Sequence, residues 1–347
     1  MRRRDFLAAL GSTATAWPLT LRAQQPATPV VGFLDTGSSK GDPELMPAFF
    51  RGLAENGFVE GRNVAIEYRR SEGDESLLTA MAEDLVRRNV TVMTTVGGAP
   101  ATLAAKAATS SIPIAFLVAV DPVALGIVAS LNHPGGNLTG VTTLNVEVAP
   151  KRLEVLQELF PRARTFALLV NPINVTNTLT TIRDLQAAAQ KRGLALRVLH
   201  ASSDDEIDRA FAALNADRSD GLVIGTDGLL ISRSERLASL ALRFRIPSIF
   251  QYRAFSVAGG LMSYGSNFAD TYYQLGLYTS RLLKGEKPAD LPVQQSTKVE
   301  LIINLKTAKA LGVSVPSQAT ISVRLYWPRS VNSVPIYCSH RSRLRAP

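Results

Sequence analysis

From residue 29 onward, short apolar runs alternate with stretches whose apolar residues recur at helical spacing. Residues 30–34 form a continuous apolar run ending at Asp35-Thr36-Gly37-Ser38-Ser39, and a helical stretch over 44–56 is stopped by Gly57. The pattern then predicts a strand over 64–68, an amphipathic helix over 75–88, a strand over 90–96 closing at Gly97-Gly98, a helix over 100–108 and a buried strand over 112–118 before Asp121-Pro122. The second half repeats the rhythm. Strands at 166–170, 195–199, 221–224 and 249–252 alternate with helices at 178–192, 204–216 and 232–245, with Asp204 the expected N-cap of the second of these. Apolar runs bounded by turn residues suit strands covered on both faces, and their alternation with helices of roughly 10–15 residues indicates βαβ units and parallel sheets. Two sets of about five strands exceed what one continuous sheet needs. The expected class is α/β, with two doubly wound parallel-sheet lobes joined by a hinge.

After Ala258 the text changes. A glycine-flanked strand over 259–265, a helix over 267–284, a loop at 288–292, an alternating strand over 298–305 and a short helix over 306–311 have no partner series of their own. They are expected to return and complete the two sheets, so the chain crosses between lobes more than once. The turn-rich 133–137 and the Thr/Val-rich segment after it suit a crossover hinge. The expected partition is 29–143 plus about 252–285 for the first lobe and 144–251 plus about 286–316 for the second.

Charge is concentrated at the two ends. The chain holds 38 Lys+Arg against 29 Asp+Glu, but residues 1–23 contain four Arg and one Asp, and 318–347 contain five Arg and no acid. The stretch between them is nearly neutral, and it lacks the clustered basic surface that nucleic acid requires. The opening has a basic start, an apolar run from Leu7 and a small residue, Ala23, before Gln24-Gln25, the parts of an export signal over 1–23. Arg3-Arg4-Asp5-Phe6-Leu7 resembles the twin-arginine motif. A membrane-spanning reading is disfavoured because the run is shorter than ~20 residues and Pro18 interrupts it. The single cysteine, Cys338, excludes an intrachain disulfide.

Candidate chemistry lies at the strand ends. Open parallel sheets bind ligands outside the carboxyl ends of their strands, where helix N-termini present free N–H groups. Those ends hold Asp35, Thr36, Ser38 and Ser39; Gly98, Ala99 and Pro100; Asp121; Asn171 and Asn174; Asp227; and Tyr252. Hydroxyls, amides and carboxylates converging from two lobes suit a clamp on a small zwitterion or carboxylate, although each residue is equally a turn former. The phosphate loop, the nucleophile elbow and the H-E-x-x-H motif do not occur, and His133 and His200 are the only histidines before the tail. No catalytic residue, cofactor or metal is expected.

Several ordered motifs carry a resemblance. Phe49-Phe50-Arg51-Gly52-Leu53, then 57–64 and 66–69, Asp121-Pro122-Val123, 134–141, 258–265, 288–293 and 303–312 are similar to the substrate-binding family of bacterial ABC transporters, over about 29–316. The resemblance implies a type I periplasmic binding protein fold, in which two lobes close on a small solute delivered to an inner-membrane permease. It further implies a periplasmic location, a monomer, and contacts from the loops at Asp35 to Ser39, Gly98 to Pro100, Asp121, Asn171, Asp227 and Tyr252. Some members bind amino acids. The chain departs from the pattern in having Arg253-Ala254-Phe255 for Arg-Glu-Phe and Asp227-Gly228 for Asp-Pro, and 317–347 is an atypical basic tail that a reading-frame change in the gene would produce. An exported α/β enzyme and a ligand-presenting sensor module are the alternatives. A sugar-responsive transcription regulator would need a DNA-binding domain where the export signal stands.

Overall fold

A computed structural model describes residues 28–37, 44–143, 145–296, 298–313 and 315. The expected export signal and basic tail lie outside the described residues. The chain builds two six-stranded sheets. Strands β1 (Val30–Asp35), β2 (Ala65–Arg70), β3 (Val92–Val96), β4 (Ile114–Val118) and β5 (Leu138–Thr142) form most of the first, in the spatial order β5-β4-β3-β1-β2. Strands β6 (Thr165–Val170), β7 (Ala195–His200), β8 (Gly221–Ile224), β9 (Ser248–Phe250) and β10 (Met262–Ser266) repeat that order in the second. All of these pairings are parallel, with registers such as Val31↔Ile66 and Val31↔Val92 in the first sheet and Phe166↔Leu196 and Phe166↔Gly221 in the second. Strand β11 (Gln294–Gln295) extends the first sheet beside β5, and β12 (Val299–Ile303) closes the second antiparallel to β10.

The helices follow the strands. They are α1 (Leu45–Ala54), α2 (Leu78–Arg87), α3 (Ala99–Ala108), α4 (Ala149–Leu159), α5 (Val175–Lys191), α6 (Asp204–Ala216), α7 (Gly228–Ser232), α8 (Ser234–Arg243), α9 (Arg253–Val257), α10 (Phe268–Leu283) and α11 (Leu305–Ala310). Each sheet is covered on both faces, which explains why the central strands β1, β3, β4, β6 and β8 are buried along nearly their whole length while the edge strands β2 and β7 stay part-exposed. Leu78, Leu85, Ala101 and Ala105 from α2 and α3 bury one face of the first sheet, and Phe49, Leu53, Leu275 and Leu282 from α1 and α10 bury the other. Leu153, Leu156 and Leu185 from α4 and α5 cover one face of the second, and Ile207, Phe211, Leu237 and Phe255 from α6, α8 and α9 cover the opposite one.

The sheets divide the chain differently from the expected partition. Residues 252–266 belong with the second lobe, because β10 pairs with β9 (Met262↔Ile249), and 288–295 belong with the first, because Gln294 pairs with Val141. The chain crosses after β5, after β10 and after β11, so the first switch falls near 143 as expected, whereas the second and third fall later than the expected 252 and 286. The three crossovers are tied together. Asn145 Oδ1 accepts from Ser266 N (3.1 Å), Asn267 N donates to the Lys298 carbonyl (3.0 Å) and Ser296 N donates to the Thr142 carbonyl (2.7 Å). Two local expectations also change. The helix expected over 232–245 is α8, Ser234–Arg243, with the short α7 placed before it at Gly228–Ser232, and Ser203 rather than Asp204 caps α6, its hydroxyl accepting from Glu206 N while Glu206 reaches back to Ser202 N. That reciprocal pair satisfies two helix-end donors where Asp204, already helical, satisfies none.

Candidate functional site

Strand order reverses at β1/β3 in the first sheet and at β6/β8 in the second, and a doubly wound sheet opens its ligand crevice at such reversals. In the first lobe the loops after β1 and β3 are joined by Thr36, whose hydroxyl donates to the Gly97 carbonyl at 2.9 Å. Gly97 has φ +85°, and a Cβ there would fall 1.9 Å from Thr36 Oγ1, so only glycine permits this approach. Asp35 accepts from Gly37 N at 2.7 Å, with Arg70 3.9 Å away, and burial pushes its carboxyl above the usual range despite both. Gly98 (φ +115°) turns the chain into α3, of which Ala99 and Pro100 are the first residues. Ser38 and Ser39 lie outside the described residues.

The second lobe gathers its polar residues around one carboxylate. Asp227 Oδ1 accepts from Asn171 Nδ2 (3.2 Å), Leu229 N (2.9 Å) and Leu230 N (3.2 Å), and Oδ2 accepts from Asn174 Nδ2 (3.1 Å). Desolvation nevertheless raises its pKa, and the four donors only offset that effect. Asn177 Nδ2 donates to the Thr226 carbonyl (2.9 Å), while Asn177 Oδ1 and Thr181 Oγ1, both buried beside Asp227, have no partner among the described residues.

The two sets meet across the lobes. A Cβ on Gly228 would lie 2.5 Å from Thr36 Oγ1 and 3.4 Å from the Gly97 carbonyl, which identifies a closed arrangement with backbone against backbone. Glu75, in the short turn before α2, faces Asp227 from the opposite lobe. Burial, and after it the field of Asp227, pushes the Glu75 carboxyl from an ordinary 4.5 up to about 7.

The expected residues therefore separate. Thr36, Gly98 and Ala99 gather in the first lobe and Asn171, Asn174 and Asp227 in the second, whereas Asp121 is exposed and caps its own turn, accepting from Val123 N at 2.8 Å. Tyr252 packs in the second core with its ring 5.1 Å from that of Phe268. Glu75, Asn177, Thr226, Asn145 and Arg152 go unnoticed in the sequence. Thr226 is adjacent to Asp227, and Arg152 shares the helical stripe of Ala149, Leu153 and Leu156, which are the two signals that point to them.

The fold has close relatives. A curated tyrosine-binding protein from Clostridioides difficile is 28% identical over 264 residues, covering 76% of this chain and 75% of the relative. The structure of an ABC domain from Streptococcus pneumonia in complex with L-Trp superposes with a TM-score of 0.73 at 27% identity, over 84% of this chain and 96% of that one. The ligand-free, open structure of a substrate binding protein with adhesive properties from Clostridium difficile gives a TM-score of 0.60 at 28% identity, over 85% and 98%. These relatives are binding proteins rather than enzymes. The family model of the ABC transporter substrate binding protein matches residues 42–324, and the chain belongs to that family.

Proposed function

We propose that this protein is the extracytoplasmic solute-binding component of an ABC importer, delivering an amino acid or related carboxylate to an inner-membrane permease. The observation that carries this reading is the facing of two strand-order reversals across one cleft, with Asp227 buried on one side and Thr36 and the α3 N-terminus on the other. The carboxylate suits a solute ammonium group, and free N–H groups near Ala99 suit an anionic one. The tyrosine- and tryptophan-related names of two relatives support an amino acid. Asp35, Thr36, Gly98, Ala99, Asn171, Asn174 and Asp227 are the proposed contacts, and function rests on differential stabilisation of the closed lobes. The twin-arginine-like opening supports export, and a monomer suffices for the task.

Thermal unfolding of the full chain against amino acids, carboxylates and sugars tests the proposal. A true solute at a hundredfold excess over its Kd stabilises by ~2.7 kcal/mol. No shift with any of them, together with turnover of one, would instead establish an enzyme.

A further inference from the structure

Arg152 is a charged residue on a buried face. It lies on α4 between Ala149, Leu153 and Leu156, and all four are 0% exposed. Its guanidinium donates from Nη1 to the Tyr264 carbonyl (3.3 Å) and from Nη2 to the Asn145 carbonyl (2.7 Å) and Thr226 Oγ1 (3.4 Å). All three acceptors are neutral. Among the described residues no carboxylate stands within ion-pair distance, and Glu147, whose field reaches Arg152, uses Oε1 to accept from Asp121 N. Among the described residues Nε–H has no partner either.

Two further donors share this position. Asn145, 1% exposed, accepts from Ser266 N through Oδ1, which turns Nδ2 the other way, and Nδ2 has no partner among the described residues. Gln251, 2% exposed, accepts from Thr226 Oγ1 (2.9 Å), and its Nε2 has no partner among the described residues. Three N–H-bearing groups without a partner among the described residues, one of them on the guanidinium itself, thus come from α4, the first crossover and the exit of β9, joined through the Asn145 carbonyl and Thr226. Thr226 links them to the cleft, being the residue before Asp227. Tying carbonyls together needs only a neutral amide, whereas a buried guanidinium without an anion is strongly unfavourable. Its planar fork matches a carboxylate.

We propose that Arg152, with Asn145 and Gln251, holds a carboxylate group of the solute at the interlobe crossovers. This rests on the reading of the cleft as a solute site and adds to it the requirement for an acid and a carboxylate anchor in the second lobe, in place of the α3 N-terminus. The test uses the full chain, melted in sodium acetate and in sodium chloride at matched ionic strength. Acetate should raise the melting temperature saturably while chloride does not. Arg152→Lys should keep the response, and Arg152→Gln should weaken acetate binding roughly tenfold to a hundredfold while keeping the wild-type circular dichroism. No acetate-specific rise, an equal rise in chloride, or unchanged affinity in Arg152→Gln overturns the proposal. Should Arg152→Gln fail to fold, Gln251→Met reads the same site by titration of 13C-acetate, and unchanged affinity there overturns it too. If acetate binds but no amino acid does, the carboxylate site stands and the amino-acid reading falls. If an amino acid and its amide bind equally well, the reading stands and the site falls.

Discussion

Glu75 and Asp227 reach the cleft from opposite lobes, so closure brings two like charges together. A raised carboxyl pKa means that the folded, closed chain holds the proton more tightly than the unfolded one. The stabilisation this gives is fully present below the ordinary 4.5 and is lost as pH rises through about 7. Melting temperatures are therefore expected to fall from pH 5 to pH 8, and Glu75→Gln should flatten that slope and melt above the wild type at pH 8. An unchanged slope in the variant would remove the carboxyl from this role. Asp35, Asn171 and Asp227 are legible in the sequence because a polar residue ending an apolar run marks a strand's carboxyl end. Glu75 is not, since its relation to Asp227 arises only when the two lobes close. Arg152 is hidden for another reason: charged residues in amphipathic helices ordinarily face water, and only its register with Leu153 and Leu156 indicates otherwise.

At the scale of elements, α1 and α10 show how closely packing is specified. Gly52 and Gly276 face one another, and a Cβ on Gly276 would fall 2.1 Å from the Phe49 carbonyl, as one on Gly52 would from the Tyr273 carbonyl. Backbone cannot yield as a flexible side-chain tip does. Gly276→Ala should destabilise the protein by about 3 kcal/mol, read by urea denaturation, while Gly285→Ala, with open space around it but φ +90°, serves as a control for backbone strain. Strands and long helices are legible because burial on two faces and the 3.6-residue period leave strong marks. The helix α9 and the two-residue β11 are too short to carry a period. The assignment of β10 to the second sheet depends on its pairing with β9, and pairing is a tertiary fact.

For the whole molecule, the equal strand order of the two sheets is foreshadowed by the repeated rhythm of the sequence, whereas the points at which the chain changes lobe are not. Those points decide what moves against what. The Asn145–Ser266, Asn267–Lys298 and Ser296–Thr142 contacts join the crossovers into one short, hydrogen-bonded hinge beside Arg152. A hinge of this kind lets the lobes rotate as bodies while their cores stay packed.

The third crossover also orders events in time. As the chain leaves the ribosome, the first sheet lacks the α10 side of its cover until 268–283 has appeared, and the second keeps an unpaired edge at β10 until 299–303 has followed. The first lobe waits for α10, which follows nearly all of the second lobe in the chain, so an N-terminal domain cannot finish before the next one is begun. A chain ending at residue 266 should therefore be deficient in both lobes at once, lacking α10 and β12, and should unfold non-cooperatively and bind a dye for exposed apolar surface. One intact, cooperatively melting lobe in that truncation would show the contrary. The two lobes are thus finished late and nearly together, by α10 and β12, so a pause in synthesis before residue 268 leaves both of them incomplete.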